Sequence, residues 1–202
     1  MNNWIILLTT AVNNFNNTIK DSEYRKQLYN YQISQWLKRT TFKIVVVESS
    51  GYHFPDIINE RLHKVTFKFD SELASSSQYE ARSILYALND IKNTDFYNNC
   101  THILKVTGRY FLENIEQHLN SHPQGKDLYL QKHRNDSIKW QNSEYYGIKK
   151  ELFPLFLESV KDIGFMEHCL WIFSIDNKSF CHIGYFRNNI RRGGDHLLIK
   201  NL

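Results

Sequence analysis

Proline and glycine are scarce in this chain, three and eight among 202 residues, and they never gather into a linker. Internal repeats and low-complexity tracts are missing too, so residues 1–202 read as one domain, long enough to bury a full core. Cysteine is equally sparse. Cys100, Cys169 and Cys181 are odd in number, far apart and without Cys-x-x-Cys spacing, which points to free thiols in a reducing compartment. Residues 4–8 (Trp-Ile-Ile-Leu-Leu) are too few to span a bilayer, and no basic segment precedes them. Neither a membrane span nor a secretory leader is expected, and the expected location is the cytoplasm. The net charge is only +4, with Arg187, Arg191 and Arg192 as its one local cluster. An anionic small ligand is permitted, and no nucleic-acid partner is expected.

Several catalytic signatures are also missing. There is no P-loop, no Gly-x-Gly-x-x-Gly after a strand, no His-Glu-x-x-His, no Gly-x-Ser-x-Gly and no paired Cys/His spacing. Most nucleoside triphosphatases, dinucleotide oxidoreductases, zinc proteases and serine hydrolases are thereby set aside. The nine histidines show no spacing that converges on a metal.

What is present alternates. Residues 4–9, 42–47, 65–69 and 102–106 read as strands, the first two as buried β-branched and aliphatic runs. Residues 21–37 and 76–91 have apolar positions at helical spacing, the second with Ser77 as N-cap and Glu80 as a capping-box partner. In the second half, residues 128–132 and 178–185 are candidate strands. Residues 151–163, with Pro154 in the first turn, and 167–173 are candidate helices. Strands alternating with helices imply an α/β fold on a mostly parallel sheet.

Strand ends carry the candidate chemistry, because open α/β sheets bind ligands outside their carboxyl edge. After residues 102–106 come Thr107, Gly108 and Arg109. With Lys105 they offer positive charge and a close backbone to an anionic ligand, or else form a turn with two solvated cations. After the first strand, Thr9, Thr10 and Ala11 suit a loop around a base or ribose. After the second, Glu48 and Ser50 bring a carboxylate and a hydroxyl to the same edge. The segment holding Gln141, Glu144, Tyr145 and Tyr146 mixes amides and rings in the way sugar sites do, or is a loop with buried tyrosines. Glu167 stands inside an apolar run. It is a general-base candidate or one half of an ion pair with the late arginines.

In this order, residues 5–11, 45–51, 75–88, 103–110 and 145–171 resemble a nucleotide-sugar glycosyltransferase of the GT-A type. The likeness is strongest to small viral and bacterial members with a Lys-hydrophobe-Thr-Gly-Arg-Tyr segment. The resemblance implies a single GT-A-like (Rossmann-like) domain with a mixed, mostly parallel sheet flanked by helices. Residues 1–112 would bind the nucleotide, and residues 113–202 the acceptor. Thr9, Thr10, Ala11, Glu48 and Ser50 would hold the nucleoside. Glu80, Arg82, Lys105, Thr107, Gly108, Arg109, Arg192 and His196 would lie by the donor sugar and phosphates. Gln141, Glu144, Tyr145 and Tyr146 would meet the acceptor, and Glu167 would deprotonate its hydroxyl.

The departure from that family is the lack of Asp-x-Asp, which in most members holds Mg²⁺ or Mn²⁺. Either Lys105, Arg109 and Arg192 neutralise the diphosphate and no cofactor is required, or a divalent ion is held weakly by Glu48 or Asp195. The expected function is sugar transfer from a nucleotide diphosphate sugar to a hydroxyl of a glycan or lipid-linked saccharide, with inversion. A metal-independent, sialyltransferase-like CMP-sugar enzyme and a non-catalytic nucleotide-binding module are the alternatives. A nucleotidyltransferase would want clustered carboxylates for two metals.

Overall fold

A computed structural model describes residues 3–13, 19–70, 75–132, 134–176, 179–183, 187–191 and 198–201. The first apolar run becomes β1 (Trp4–Thr10), buried at every position. Helix α1 (Ile19–Arg39) has Asp21 in its first turn and Lys38 and Arg39 in its last, signs that suit the helix dipole. Strands β2 (Lys43–Glu48) and β3 (Leu62–Thr66) follow. Then come α2 (Ser76–Ile91), the short α3 (Asp95–Asn98) and β4 (His102–Thr107). The second half holds α4 (Ile115–Ser121), β5 (Leu128–Gln131), a ribbon of β6 (Arg134–Asn135) with β7 (Trp140–Gln141), and β8 (Tyr145–Lys149). A 3₁₀ turn leads into α5 (Phe153–Ile163), followed by α6 (Met166–Asp176) and β9 (Phe180–Ile183). Strands β10 (Arg187–Arg191) and β11 (Leu198–Asn201) pair with each other.

Seven strands form one sheet in the order β3-β2-β1-β4-β8-β5-β9. Every pairing in it is parallel except those of β8, which runs against both β4 and β5. Each face is covered. Ile5, Leu7, Val45, Val47 and Ile103 turn toward α2, α5 and α6. Ile6, Leu8, Ile44, Val46 and Leu104 turn toward Tyr29, Ile33 and Trp36 of α1 and Ile115 and Leu119 of α4. Burial on both faces is why β1 and β2 read as unbroken apolar runs, without alternation. The architecture is therefore α/β, with a mixed, mostly parallel sheet flanked by helices.

Four local differences from the sequence reading have physical causes. The N-cap of α2 is Ser75, whose hydroxyl accepts from the Gln78 amide at 3.2 Å, while Ser77 is buried inside the first turn. Glu80 does not cap the helix, because a buried lysine claims its carboxylate. β3 starts three residues earlier than expected, since Leu62 to Thr66 pair with Ile44 to Glu48. The segment of Tyr145 and Tyr146, expected as a sugar site or a loop with buried tyrosines, is strand β8 in the middle of the sheet, with both rings fully buried.

Candidate active site

The carboxyl ends of β2, β1 and β4 lie side by side, and their loops are fastened to one another by short bonds. The Gly108 amide donates to Thr9 O at 2.8 Å. A Cβ on Gly108 would lie 2.4 Å from Thr10 Cγ2 and 2.9 Å from Thr9 O, so only glycine fits there. Thr10 Oγ1 donates to Val47 O at 3.0 Å, and the Ser49 amide to Thr10 O at 3.1 Å. Glu48 is fully buried. Its carboxylate accepts from the amides of Val12, Ser50 and Tyr52, each at 2.8 Å, and from Ser50 Oγ at 2.5 Å. That carboxylate is therefore the bolt of two loops. Its lone pairs are taken by the protein, which removes it from the nucleoside-binding and metal-ligating roles expected of it.

Lys105 is also turned inward. It lies on the α2 face of β4, its side chain 1% exposed, with Nζ 2.6 Å from Glu80 Oε1. It also donates to Ser143 O at 2.8 Å and Thr107 Oγ1 at 3.1 Å. A cation so enclosed is spent within the protein, which corrects its expected place on the phosphates. Glu80 Oε1 accepts a second bond from Thr9 Oγ1 at 2.8 Å, and its side chain keeps 20% exposure.

Because β8 is antiparallel, it begins at the edge where the parallel strands end, which brings Ser143 and Glu144 to the same rim. The Thr107 amide donates to Glu144 O at 2.8 Å. Ser143 Oγ donates to Glu167 Oε1 at 2.7 Å. Glu167 occupies the first turn of α6, and Ser75 Oγ reaches the turn before that helix, donating to Gly164 O at 2.8 Å. Tyr146 lies beneath. Its hydroxyl is pushed well above its ordinary pKa by burial and by the carboxylates of Glu80 and Glu167.

These groups surround a cleft of about 810 Å³, a size that accepts a nucleotide or a sugar nucleotide. Of the residues expected at the site, Thr9, Thr10, Ala11, Ser50, Glu80, Thr107, Arg109, Glu144 and Glu167 line it. Gly108 sits directly below. Arg82 is exposed on α2 with its guanidinium 5.7 Å from the Phe69 ring, and it does not line the cleft. Tyr145 and Tyr146 are core rings, and Gln141 is fully buried, its Nε2 donating to Gln131 O at 2.7 Å. Their acceptor-binding assignment is thereby corrected. Arg192, Asp195 and His196 lie outside the described residues.

Arg25 and Lys68 line the cleft and are not among the expected residues, and Ser143, inside the expected segment 141–147, lines it too. Arg25 comes from α1, held by its bond to Ala11 O at 3.1 Å, and Lys68 comes through the bridge of its backbone to Ser50. Nothing local marks either residue in the sequence; only the crossing of the chain at this edge does. With the sheet order known, the lining charges sort by sign, apart from Glu80, whose carboxylate is paired with Lys105. Lys68, Arg25 and Arg109 stand over β2, β1 and β4, while Glu144 and Glu167 stand over β8 and α6. Arg109 Nε is buried with no hydrogen-bond partner among the described residues.

No protein-family model and no curated protein sequence matches the chain. Solved structures do match it in shape. One assigned as a nucleotide-diphospho-sugar transferase, from Desulfovibrio desulfuricans, shares 91% of this chain and 80% of its own at 11% identity, with a TM-score of 0.54. The fold is GT-A-like. A 4-diphosphocytidyl-2C-methyl-D-erythritol synthase from Anaerococcus prevotii covers 91% of this chain and 90% of its own, with 11% identity and a TM-score of 0.52. A glycosyltransferase involved in glycosylating the major capsid of PBCV-1 covers 89% and 80%, with 4% identity and a TM-score of 0.51. Identities this low speak for the GT-A-like fold alone. At the end of β4, where most glycosyltransferases of this fold present metal-binding aspartates, Thr107-Gly108-Arg109 offers one hydroxyl already bonded to Lys105 and one cation. This set does not fit a divalent metal. Among the described residues, no group of three or more His, Cys, Asp or Glu could hold one, and no helix is long and apolar enough to cross a membrane.

Proposed function

We propose that this protein transfers a sugar from a nucleotide diphosphate sugar to a hydroxyl group of a glycan or a lipid-linked saccharide. The observation that carries the reading is the sign change across the cleft. Three cations stand over the parallel strands, and a carboxylate steadied by a serine hydroxyl faces them from α6. The cationic wall suits the diphosphate, with the Arg109 guanidinium, which lines the cleft, as a charge-assisted donor to its oxygens. The loops of Thr10, Ala11 and Ser50 suit the nucleoside. Glu167 then takes the proton of the acceptor hydroxyl as its oxygen bonds to the anomeric carbon. The bond from that carbon to the diphosphate breaks on the opposite side, and the configuration inverts. Residues 1–112 supply the donor wall and residues 113–202 the acceptor wall. Arg25, Lys68 and Arg109 offset the leaving charge without a required metal.

The test is a panel of UDP-, GDP-, TDP- and CMP-sugars, each with EDTA or with Mn²⁺, read by thermal shift and by release of the nucleotide. Release of a nucleoside diphosphate supports the reading. Release of CMP alone favours the CMP-sugar alternative. Binding without turnover under any acceptor favours a non-catalytic module. A parallel arm with CTP and sugar phosphates, read as pyrophosphate release, detects nucleotidyl transfer instead.

A further inference from the structure

An ammonium group has three protons to donate, and Lys105 spends all three on different parts of the chain. Glu80 lies on α2, Thr107 at the end of β4 itself, and Ser143 in the connection before β8. Burying a cation in an apolar face beside Ile103 and Tyr146 is costly unless it is fully bonded, and an apolar residue of the same volume would serve stability as well. The arrangement makes sense for geometry. Ser143 gives its carbonyl to Lys105 at 2.8 Å and its hydroxyl to Glu167 Oε1 at 2.7 Å. A chain of bonds thus runs from Thr9 through Glu80, Lys105 and Ser143 to Glu167, and both of its ends open on the cleft.

We propose that Lys105 is a positioning residue that fixes the Glu167 carboxylate through Ser143 and ties it to the α2 wall that faces the donor. The role rests on the reading of Glu167 as the base. Donor and base then share one frame, and the aim of the carboxylate is set before any ligand enters.

The experiment uses the full chain with ¹³C-carboxyl-labelled glutamate. Lys105→Met should move the Glu167 carboxyl resonance although Lys105 does not touch Glu167. In a Ser143→Ala background the same substitution should move it no further, because the path is already cut. With the nucleotide sugar chosen by the panel, Ser143→Ala should lower kcat by up to about a hundredfold with KM for the donor unchanged, and Ser143→Thr should restore it. An unmoved resonance in Lys105→Met, or shifts that simply add, overturns the proposal. If Lys105→Met does not fold, Ser143→Ala decides, and an unchanged resonance with unchanged kcat overturns it. Full turnover in Glu167→Gln removes the base reading and this role with it. Lost turnover in Glu167→Gln beside an unmoved resonance removes the positioning role alone.

Discussion

Two walls meet across the cleft, and they are made by different means. Over β2, β1 and β4 the polar side chains are mostly engaged by the protein itself: three backbone amides and one hydroxyl donate to Glu48, and the Thr10 hydroxyl donates to Val47 O. What that wall offers a ligand is the shape of its loops and the charge of three cations at its surface. Over β8 and α6, Glu167 accepts from the Ser143 hydroxyl and lines the cleft. A wall whose polar groups are mostly engaged keeps its shape for a ligand, whereas a carboxylate lining a cleft can accept a proton. Under the proposed function, the division of labour between binding and chemistry follows from which bonds are already made.

The sharpest way to break this comparison is at Glu167. Glu167→Gln keeps the hydroxyl bond and the volume but cannot take a proton. Turnover should fall about 10²–10⁴-fold while thermal shift by the donor persists; turnover near that of the wild type would move the chemistry off this wall. The next effect belongs to the opposite wall. Arg109→Ala should weaken a nucleoside diphosphate about ten- to a hundredfold, the worth of a bond to a charged group, and leave the free nucleoside almost untouched. Equal loss for both ligands, measured by calorimetry, would make Arg109 a structural residue.

The wall over β2, β1 and β4 is also the more legible one. Strands β1, β2 and β4 announce themselves as buried runs, and their ends were the places to look, so Thr9, Thr10, Ala11, Ser50, Thr107 and Arg109 could be named from order alone. Glu48 and Lys105 were placed in the right neighbourhood with the wrong orientation. Direction of pointing depends on which face of the strand a residue occupies and what covers it, and that is tertiary information. The wall over β8 and α6 is harder to read. Strand β8 is five residues long, reads Tyr-Tyr-Gly-Ile-Lys, and enters the sheet against the grain between β4 and β5. Its glycine exists because the Trp4 ring lies against it, with a Cβ there only 2.8 Å from Cζ3. Nothing nearby in sequence announces that contact.

Smaller effects refine the picture. Gly108→Ala forces a methyl against Thr10 and the Thr9 carbonyl. It should cost about 1–3 kcal/mol, a Tm lower by roughly 3–10 °C for a chain of this size, because a backbone carbonyl leaves the methyl no room. A wall that tolerates the methyl would show an unchanged melt. The thiols of Cys100, Cys169 and Cys181 are pushed by burial to about 11, against an ordinary 9.0. Between those values the unfolded chain releases protons that the folded chain keeps. The thiol contribution to stability is therefore whole below pH 9 and is lost as pH rises toward 11. Urea midpoints across that window should decline, and less steeply in Cys100→Ala.

The smallest expected effect is that of removing metal. Where a carboxylate pair would hold a divalent ion against the diphosphate, this chain has Thr107, engaged by Lys105, and Arg109, whose Nε is buried without a partner among the described residues. Glu48, at the end of β2, has both oxygens occupied by protein donors. A guanidinium meets phosphate oxygens in a planar fork and brings its charge without a cofactor. Turnover should then survive EDTA for the most part, while added salt should weaken donor binding as the field of Arg25, Lys68 and Arg109 is screened. Loss of turnover in EDTA, restored by Mn²⁺, would overturn the cationic wall as the sole counter-charge. Glu144 and Glu167 would become the first ligands to test, and the two walls would then be joined by a metal ion as well as by Lys105.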